Sequence, residues 1–150
     1  MPTDADRPAP PLVRDFPVKW PVQTRWTDND MFGHLNNAVY YAIWDSVINA
    51  WVAREAGADP MTDAAIPLVA ESSCRYLGEL GYPQNLVAGL GVDRFGTSSV
   101  TFRLALYAAG SAPSAPVAAA GRWVHVYVDR VTRRPVAIPE AARTAYESAR

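Results

Sequence analysis

The densest run of reactive side chains is Thr27-Asp28-Asn29-Asp30-Met31-Phe32-Gly33-His34-Leu35-Asn36-Asn37. Two carboxylates, a histidine and paired amides sit directly before a segment whose apolar residues recur at helical spacing. The free N–H groups of a helix N-terminus, which favour developing negative charge, are therefore expected beside the acids. A carboxylate next to donors aimed at an oxyanion is what acyl-transfer hydrolysis needs: one group attacks or takes a proton, the other activates the electrophile. The same residues would also make an Asx-rich turn capping the helix, with Asp28 and Asp30 as turn formers. Residue types and spacing leave both readings open.

Other reactive residues weigh less. Asp45 lies on the helix, where a carboxylate more often makes a buried hydrogen bond or ion pair than a catalytic centre. His125 alternates outward with Trp123 and Tyr127 on a late strand and reads as structural or exposed. Cys74 reads as a small buried hydrophobe with no adjacent base to activate it. Two histidines and one cysteine without close spacing are too few for a metal site. There is no Gly-rich phosphate loop and no G-x-S-x-G elbow.

The elements that must position the run follow from periodicity. Five of thirteen prolines fall in the first seventeen residues, so residues 1–16 are expected to form a flexible Pro-rich tail, with one domain over 17–150. Val18, Trp20, Val22, Thr24 and Trp26 alternate with polar residues, a half-buried strand; Pro21 makes it an edge or gives it a bulge. AVYYAIWDSVINAWVAREAG is a long helix, with Asn36 or Asn37 as N-cap and Gly57 at its C-terminal end. Tyr40, Ile43, Trp44, Val47 and Trp51 form one face, and Tyr41, Ile48 and Val52 make the opposite face apolar too, so the helix should be buried. Four extended segments follow, PLVAESSCRYL, QNLVAGLGVDRF, SSVTFRLALY and PVAAAGRWVHVYVD, with a tight hairpin at RFGTS and a short closing helix after Pro139. Strand, helix, then four antiparallel strands is an α+β order. The long helix is the large apolar object available to the sheet, so the sheet should curl around it.

Composition narrows the partners. Fourteen basic against fifteen acidic residues give a net charge of −1, without the basic footprint of a nucleic-acid binder. No apolar run approaches the roughly 18 residues of a membrane span. The N-terminus, MPTDADRPAPP, has acids and prolines where a signal peptide needs a basic start and an apolar core, and one cysteine permits no intrachain disulfide. A cytoplasmic location is the expectation. Thirteen of the fourteen basic residues are arginine, with Lys19 the one lysine.

Residues 25–40, Arg-Trp-Thr-Asp-Asn-Asp-Met-Phe-Gly-His-Leu-Asn-Asn-Ala-Val-Tyr, resemble the opening of the hotdog-fold acyl-CoA thioesterases. The pattern D-x-D-x-x-G-H-x-N-N-x-x-Y is closest to the 4-hydroxybenzoyl-CoA thioesterase-like branch. The similarity continues through Tyr41, Trp44 and Asp45, and at the far end through Val128-Asp129 and Arg134-Pro135-Val136-Ala137-Ile138-Pro139. The resemblance implies the hotdog fold: a five-stranded curved antiparallel sheet wrapped around one long central helix. It implies hydrolysis of an acyl-CoA, or acyl carrier protein, thioester without cofactor or metal. Asp30 falls at the catalytic carboxylate, Gly33 in the turn after it, and Asn37 where a backbone N–H polarises the thioester carbonyl. His34 matches a histidine that positions substrate, supports the loop or assists water; Tyr40 falls in the substrate-binding part of the pattern, and Asp28 at an acid that orders the loop.

The resemblance also implies a homodimer or homotetramer with its sites at the seam. A non-catalytic acyl-CoA-binding domain and a dehydratase of 3-hydroxyacyl thioesters are the alternatives. Because CoA carries phosphates and arginine supplies nearly all the positive charge, Arg94 and the Arg130, Arg133 and Arg134 cluster are expected to include a phosphate contact.

Overall fold

The computed structural model describes residues 7–150. Five strands, β1 (Val18–Gln23), β2 (Ala65–Tyr76), β3 (Asn85–Phe95), β4 (Ser99–Ala108) and β5 (Ala119–Asp129), form one sheet in the order β1-β3-β4-β5-β2. Every neighbouring pair is antiparallel. Pro21 is tolerated because β1 is an edge strand, where an absent N–H costs no inner ladder bond. The tight hairpin between β3 and β4 closes with the Gly96 N–H donating to the Ser99 carbonyl at 2.9 Å.

One long helix, α1 (Asn37–Ala56), lies in the concavity of the sheet, and a short helix, α2 (Glu140–Ser148), closes one end. Asn36 is the N-cap, its Oδ1 accepting from the Ala38 N–H, and Gly57 ends the helix in the left-handed region at φ 64°. The buried face is Tyr40, Trp44, Val47, Ile48, Trp51 and Val52. Burial all round, expected from the sequence, is not observed. Ala42, Asp45, Ser46, Asn49 and Ala50 are exposed, because the sheet covers one side of the helix and the small and polar residues gather on the other. Asp45 is thus a solvated side chain whose nearest bond is with Asn49 on the next turn.

Trp44 keys the helix to the sheet. Its indole N–H donates to the Ala105 carbonyl at 3.0 Å, and its ring lies over Gly121, where an added Cβ would come within 2.6 Å of it. Glycine there is a packing requirement. At the other end, Tyr146 of α2 stacks on Trp51 and shares a 2.6 Å hydrogen bond with Tyr127 beneath.

The expected N-terminal tail needs correction where it can be checked. Residues 1–6 lie outside the described residues. Val13, the first residue of a 3-10 turn at Val13–Asp15, and Phe16, which follows the turn, are buried against Ala105, Tyr107 and Val117. Two apolar side chains three residues apart anchor this segment despite its prolines. His125 also departs from expectation. It faces α1 in the same row as Trp123 and Tyr127 and is buried, because residues two apart on a strand share a face. No helix among the described residues is long and apolar enough to cross a membrane.

Candidate active site

The polar run folds into a compact loop ahead of α1. Asp28 is buried at its base: its carboxylate accepts from the Arg25 N–H at 2.7 Å and from the Arg25 guanidinium at 2.9 Å. The Asp28 carbonyl accepts from the Asn36 N–H at 2.9 Å, which fixes the helix cap to the loop. Between them, the Asp30 carbonyl accepts from the Gly33 N–H at 3.2 Å, and the His34 carbonyl accepts from the Asp30 N–H at 3.0 Å. Gly33 has φ 86°, a region costly for side chains, although an added Cβ would meet nothing within 4 Å. The demand at Gly33 is conformational. Its turn returns His34 beside Asp30.

Asp30 Oδ1 accepts from the Phe32 N–H at 2.9 Å and lies 3.9 Å from His34 Nδ1. Among the described residues Oδ2 has no partner, and the side chain is 17% exposed at the lip of a cleft. His34 Nδ1 lies 3.2 Å from the Leu35 carbonyl. A carbonyl only accepts, so this contact assigns the neutral ring's proton to Nδ1 and leaves Nε2 as a lone-pair acceptor. Phe32 stacks on the His34 ring at 6.4 Å.

The cleft, about 470 Å³, is lined by Asp30, His34, Asn37 and Tyr40 together with Tyr76, Gly78 and Glu79. Asn37 is the first helical residue. The Ala38 N–H is taken by the cap and the Val39 N–H by the Asn36 carbonyl, whereas the Asn37 N–H has no carbonyl four residues back to receive it. No acidic side chain occupies the first turn of α1, so its positive end is uncompensated from within.

Tyr40 is buried and meets Tyr76 edge-on at 5.0 Å. The Tyr76 hydroxyl donates to the Asn37 carbonyl at 3.1 Å, bracing the first turn from across the cleft. Burial pushes the Tyr76 phenol up to about 12 and raises that of Tyr40, so both remain donors near neutral pH. Burial likewise raises the Cys74 thiol, which argues against a thiolate there.

The sequence reading thus assembled one wall of the cleft and missed the other. Tyr76, Gly78 and Glu79 come from the end of β2 and the segment after it, tied to the polar loop by the Leu35 N–H donating to the Leu80 carbonyl at 2.7 Å. No local pattern marks them, since the pairing joins positions forty-five apart. The four arginines are not gathered at this cleft. Arg94 lies in a separate polar depression with Glu71, Thr101 and Arg122. Arg130, Arg133 and Arg134 follow β5 at its far end, whereas Tyr76 pairs with Ala119 at its start. At about 3.3 Å per residue the two ends are over 30 Å apart. Arg130 donates to the carbonyls of Asp63 and Pro60, a clamp on the loop between α1 and β2. Arg133 and Arg134 are exposed, and their guanidinium groups meet no partner among the described residues.

A long helix in the concavity of a five-stranded antiparallel sheet, with a carboxylate loop at its N-terminus, is an arrangement shared with known proteins. The family model of the thioesterase-like superfamily matches residues 24–145. The chain belongs to the thioesterase-like superfamily. Its fold is the hotdog fold implied by the sequence resemblance.

Among solved structures, the thioesterase-like chain is similar to the PA5185 protein of Pseudomonas aeruginosa at 41% identity and TM-score 0.90, covering 95% of this chain and 97% of that one. At 14% identity and TM-score 0.75 it shares its fold with a 1,4-dihydroxy-2-naphthoyl-CoA thioesterase from Synechocystis, over 85% of this chain and 93% of that one. At 17% and 0.77 it shares it with SAV2348 of Staphylococcus aureus in complex with CoA, over 97% and 89%. No curated protein sequence matches.

Proposed function

We propose that this chain hydrolyses acyl thioesters of coenzyme A. The observation that carries the reading is the sharing of one cleft by the Asp30 carboxylate, with its free Oδ2, and the Asn37 N–H at the positive end of α1. A thioester carbonyl seated between them meets a nucleophile or base on one side and an oxyanion donor on the other. Asp30 Oδ2 either attacks the carbonyl carbon or takes a proton from the attacking water. In both routes the carbonyl π pair moves onto oxygen, where the Asn37 N–H stabilises it by donating a hydrogen bond, and the collapse of that intermediate expels the CoA thiolate. On the attack route this leaves an acyl anhydride at Asp30, which water cleaves to the free acid and the regenerated carboxylate. His34 Nε2 is the nearby acceptor that can hold a water. Gly33 shapes the turn, and Tyr40 contributes to the substrate wall. CoA is favoured over other thiols by the CoA complex of SAV2348 and by the Synechocystis thioesterase.

The chain acts as a homodimer in this reading. β2 pairs with β5 alone, so its outer edge offers a row of free backbone groups, and Leu68 and Val69 are exposed on it. Two copies joined edge to edge through β2 form one continuous antiparallel sheet. With pairing centred near Ala70 and Glu71, Tyr76 of one copy lies beside Ala65 of the other, and Ala65 pairs with Asp129 in its own chain. The Arg130–Arg134 turn of one copy then approaches the cleft of the other. Arg133 and Arg134, with free guanidinium groups, become the phosphate contacts for CoA; Arg130 is already committed to its loop. Arg94, in the depression beside Thr101, would meet a phosphate that extends across the outer face.

The test is a panel of acyl-CoA esters with a thiol-trapping dye. Release of free CoA by the wild-type chain, lost by about a thousandfold or more in Asp30→Asn with an unchanged melting temperature, supports the reading. Activity within about tenfold of wild type in Asp30→Asn removes Asp30 from the mechanism. Enoyl-CoA as product would mean a dehydratase.

A further inference from the structure

The wall of the cleft that follows β2 has few attachments. Leu77 and Gly78 donate their N–H groups to one acceptor, the Ala118 carbonyl, at 2.8 and 2.9 Å. Beyond them the Leu80 carbonyl accepts from the Leu35 N–H. Ala118 follows Val117, and Val117 is gripped from the outer face of the sheet by the N-terminal segment. Its N–H donates to the Pro11 carbonyl at 3.0 Å, and its side chain is buried with Val13 and Phe16. The Val13 and Arg14 N–H groups donate back to the carbonyls of Ala115 and Pro113, each at 3.0 Å, so residues 11–14 run antiparallel to 113–117.

This segment has a seat of its own. An added Cβ on Gly89 would come within 2.8 Å of Phe16 Cβ and Cγ, so glycine there makes the socket for that ring. The small core under it shares no residue with the core around α1. Both ends are pinned by arginines of the sheet: Arg103 Nε donates to the Asp15 carbonyl at 3.4 Å, and Arg75 Nη2 to the Pro8 carbonyl at 2.9 Å. Arg75 precedes Tyr76 on β2, and consecutive strand residues face opposite sides. Arg75 therefore holds the segment on the outer face while the Tyr76 hydroxyl braces the Asn37 carbonyl on the inner one.

We propose that residues 8–16 are a strap that positions the cleft: through Val117 and Arg75 it sets where Tyr76, Gly78 and Glu79 stand relative to Asp30 and Asn37. Its residues line no part of the cleft, so it acts through that wall. Because the Leu35–Leu80 bond remains when the strap is released, the wall loosens without detaching. The kinetic consequence rests on the thioesterase reading: a loosened brace on the first turn of α1 lowers turnover more than it weakens binding.

The experiment compares Gly89→Ala, which displaces the strap from beneath, with Arg75→Gln, which removes the tie at Pro8, and Arg75→Lys, which keeps a donor there. Amide hydrogen exchange is followed at Leu77 and Gly78, with the bonded N–H groups of Gly57 and Gly96 as references elsewhere in the molecule. Gly89→Ala should speed exchange at Leu77 and Gly78 by about tenfold relative to the references. Its kcat for acyl-CoA should fall by about tenfold, with KM within about threefold of wild type. Arg75→Gln should change both exchange and kcat by about threefold, and Arg75→Lys should stay near wild type.

Exchange at Leu77 and Gly78 that is unmoved, or that rises only as much as at Gly57 and Gly96, would overturn the strap. So would faster exchange with kcat unchanged in a chain that hydrolyses thioesters. Should Gly89→Ala fail to fold, the two Arg75 variants decide by the same measurements. If wild type hydrolyses no thioester, the reaction is wrong, and selective exchange at Leu77 and Gly78 still supports the strap.

Discussion

His125 should make the fold acid-sensitive by a calculable amount. The imidazole is 2% exposed, its Nε2 meets no partner, and burial lowers its pKa from the ordinary 6.5 to about 4. Above pH 6.5 it is neutral in both folded and unfolded chains and adds no pH dependence. As the pH falls below 6.5, the unfolded chain takes up the proton while the folded one refuses it until about pH 4. Stability therefore drops through that window. At 1.36 kcal/mol per unit, the whole interval is worth about 3 kcal/mol, with about 2 kcal/mol already lost at pH 5.

The perturbation is His125→Phe, which keeps a ring edge-on against Phe102, 5.5 Å away, with His125→Leu as a smaller alternative should phenylalanine overpack. Urea melts of wild type and variant at intervals from pH 8 to 4.5, followed by circular dichroism, give the difference in unfolding free energy. Carboxylates titrate in both proteins and cancel in that difference. The variant should gain on wild type by about 2 kcal/mol between pH 7 and 5. A difference flat across that range would show that His125 takes a proton in the folded state, and the burial argument would fail.

Gly33→Ala should cost about 1 kcal/mol of stability from the positive φ and should depress turnover more than binding, since it displaces His34 and Asp30; thermal melts and steady-state kinetics separate the two. Asn36→Ala removes the helix cap, and a loss of about 1 kcal/mol is expected in denaturant melts. Replacing Arg133 and Arg134 together by glutamine should raise KM for acyl-CoA but not for the matching acyl-pantetheine, whereas the same change at Arg130 should lower the melting temperature. Sedimentation should give twice the chain mass for wild type, and Val69→Asp with Leu68→Asp on the exposed strand should shift it toward the monomer.

What was legible in the sequence was local. Alternation at Val100, Phe102, Leu104 and Leu106 gave β4, Asn36 and Gly57 bounded α1, and the Asp-Asn-Asp-Met-Phe-Gly-His run marked the loop before it. Errors arose where a side chain's environment depends on a distant segment. Val13 and Phe16 are anchored by Tyr107 and Val117, about a hundred residues away, which their prolines gave no reason to expect. His125 was assigned to the wrong face although its neighbours Trp123 and Tyr127 pointed inward by the same alternation. The second wall of the cleft, Tyr76 to Glu79, depends on the Leu35–Leu80 pairing, and that register is invisible to any window of contiguous residues. The arginine cluster could be counted but not placed, because its distance from the cleft is set by the length of β5 and the pairing of Tyr76 with Ala119.

The seating of Trp44 over Gly121 bears on the cleft from beneath. Two turns of helix separate that indole from Asn37, so the sheet bears on the height and rotation of the first turn through this side chain, as it does through the Tyr76 hydroxyl on the Asn37 carbonyl. The loop carrying Asp30 is fixed by its own turns and by Asp28, whose carbonyl takes the Asn36 N–H and ties the loop to the helix cap. The Asp30 carboxylate and the Asn37 N–H are therefore held by contacts from different parts of the molecule that meet at the bond between Asn36 and Asp28. A substitution as small as Gly121→Ala would tilt the indole and misalign the donor while leaving every residue of the cleft unchanged. A change at Gly121 would therefore reach the proposed site through the floor of the sheet, with every residue that lines the cleft unaltered.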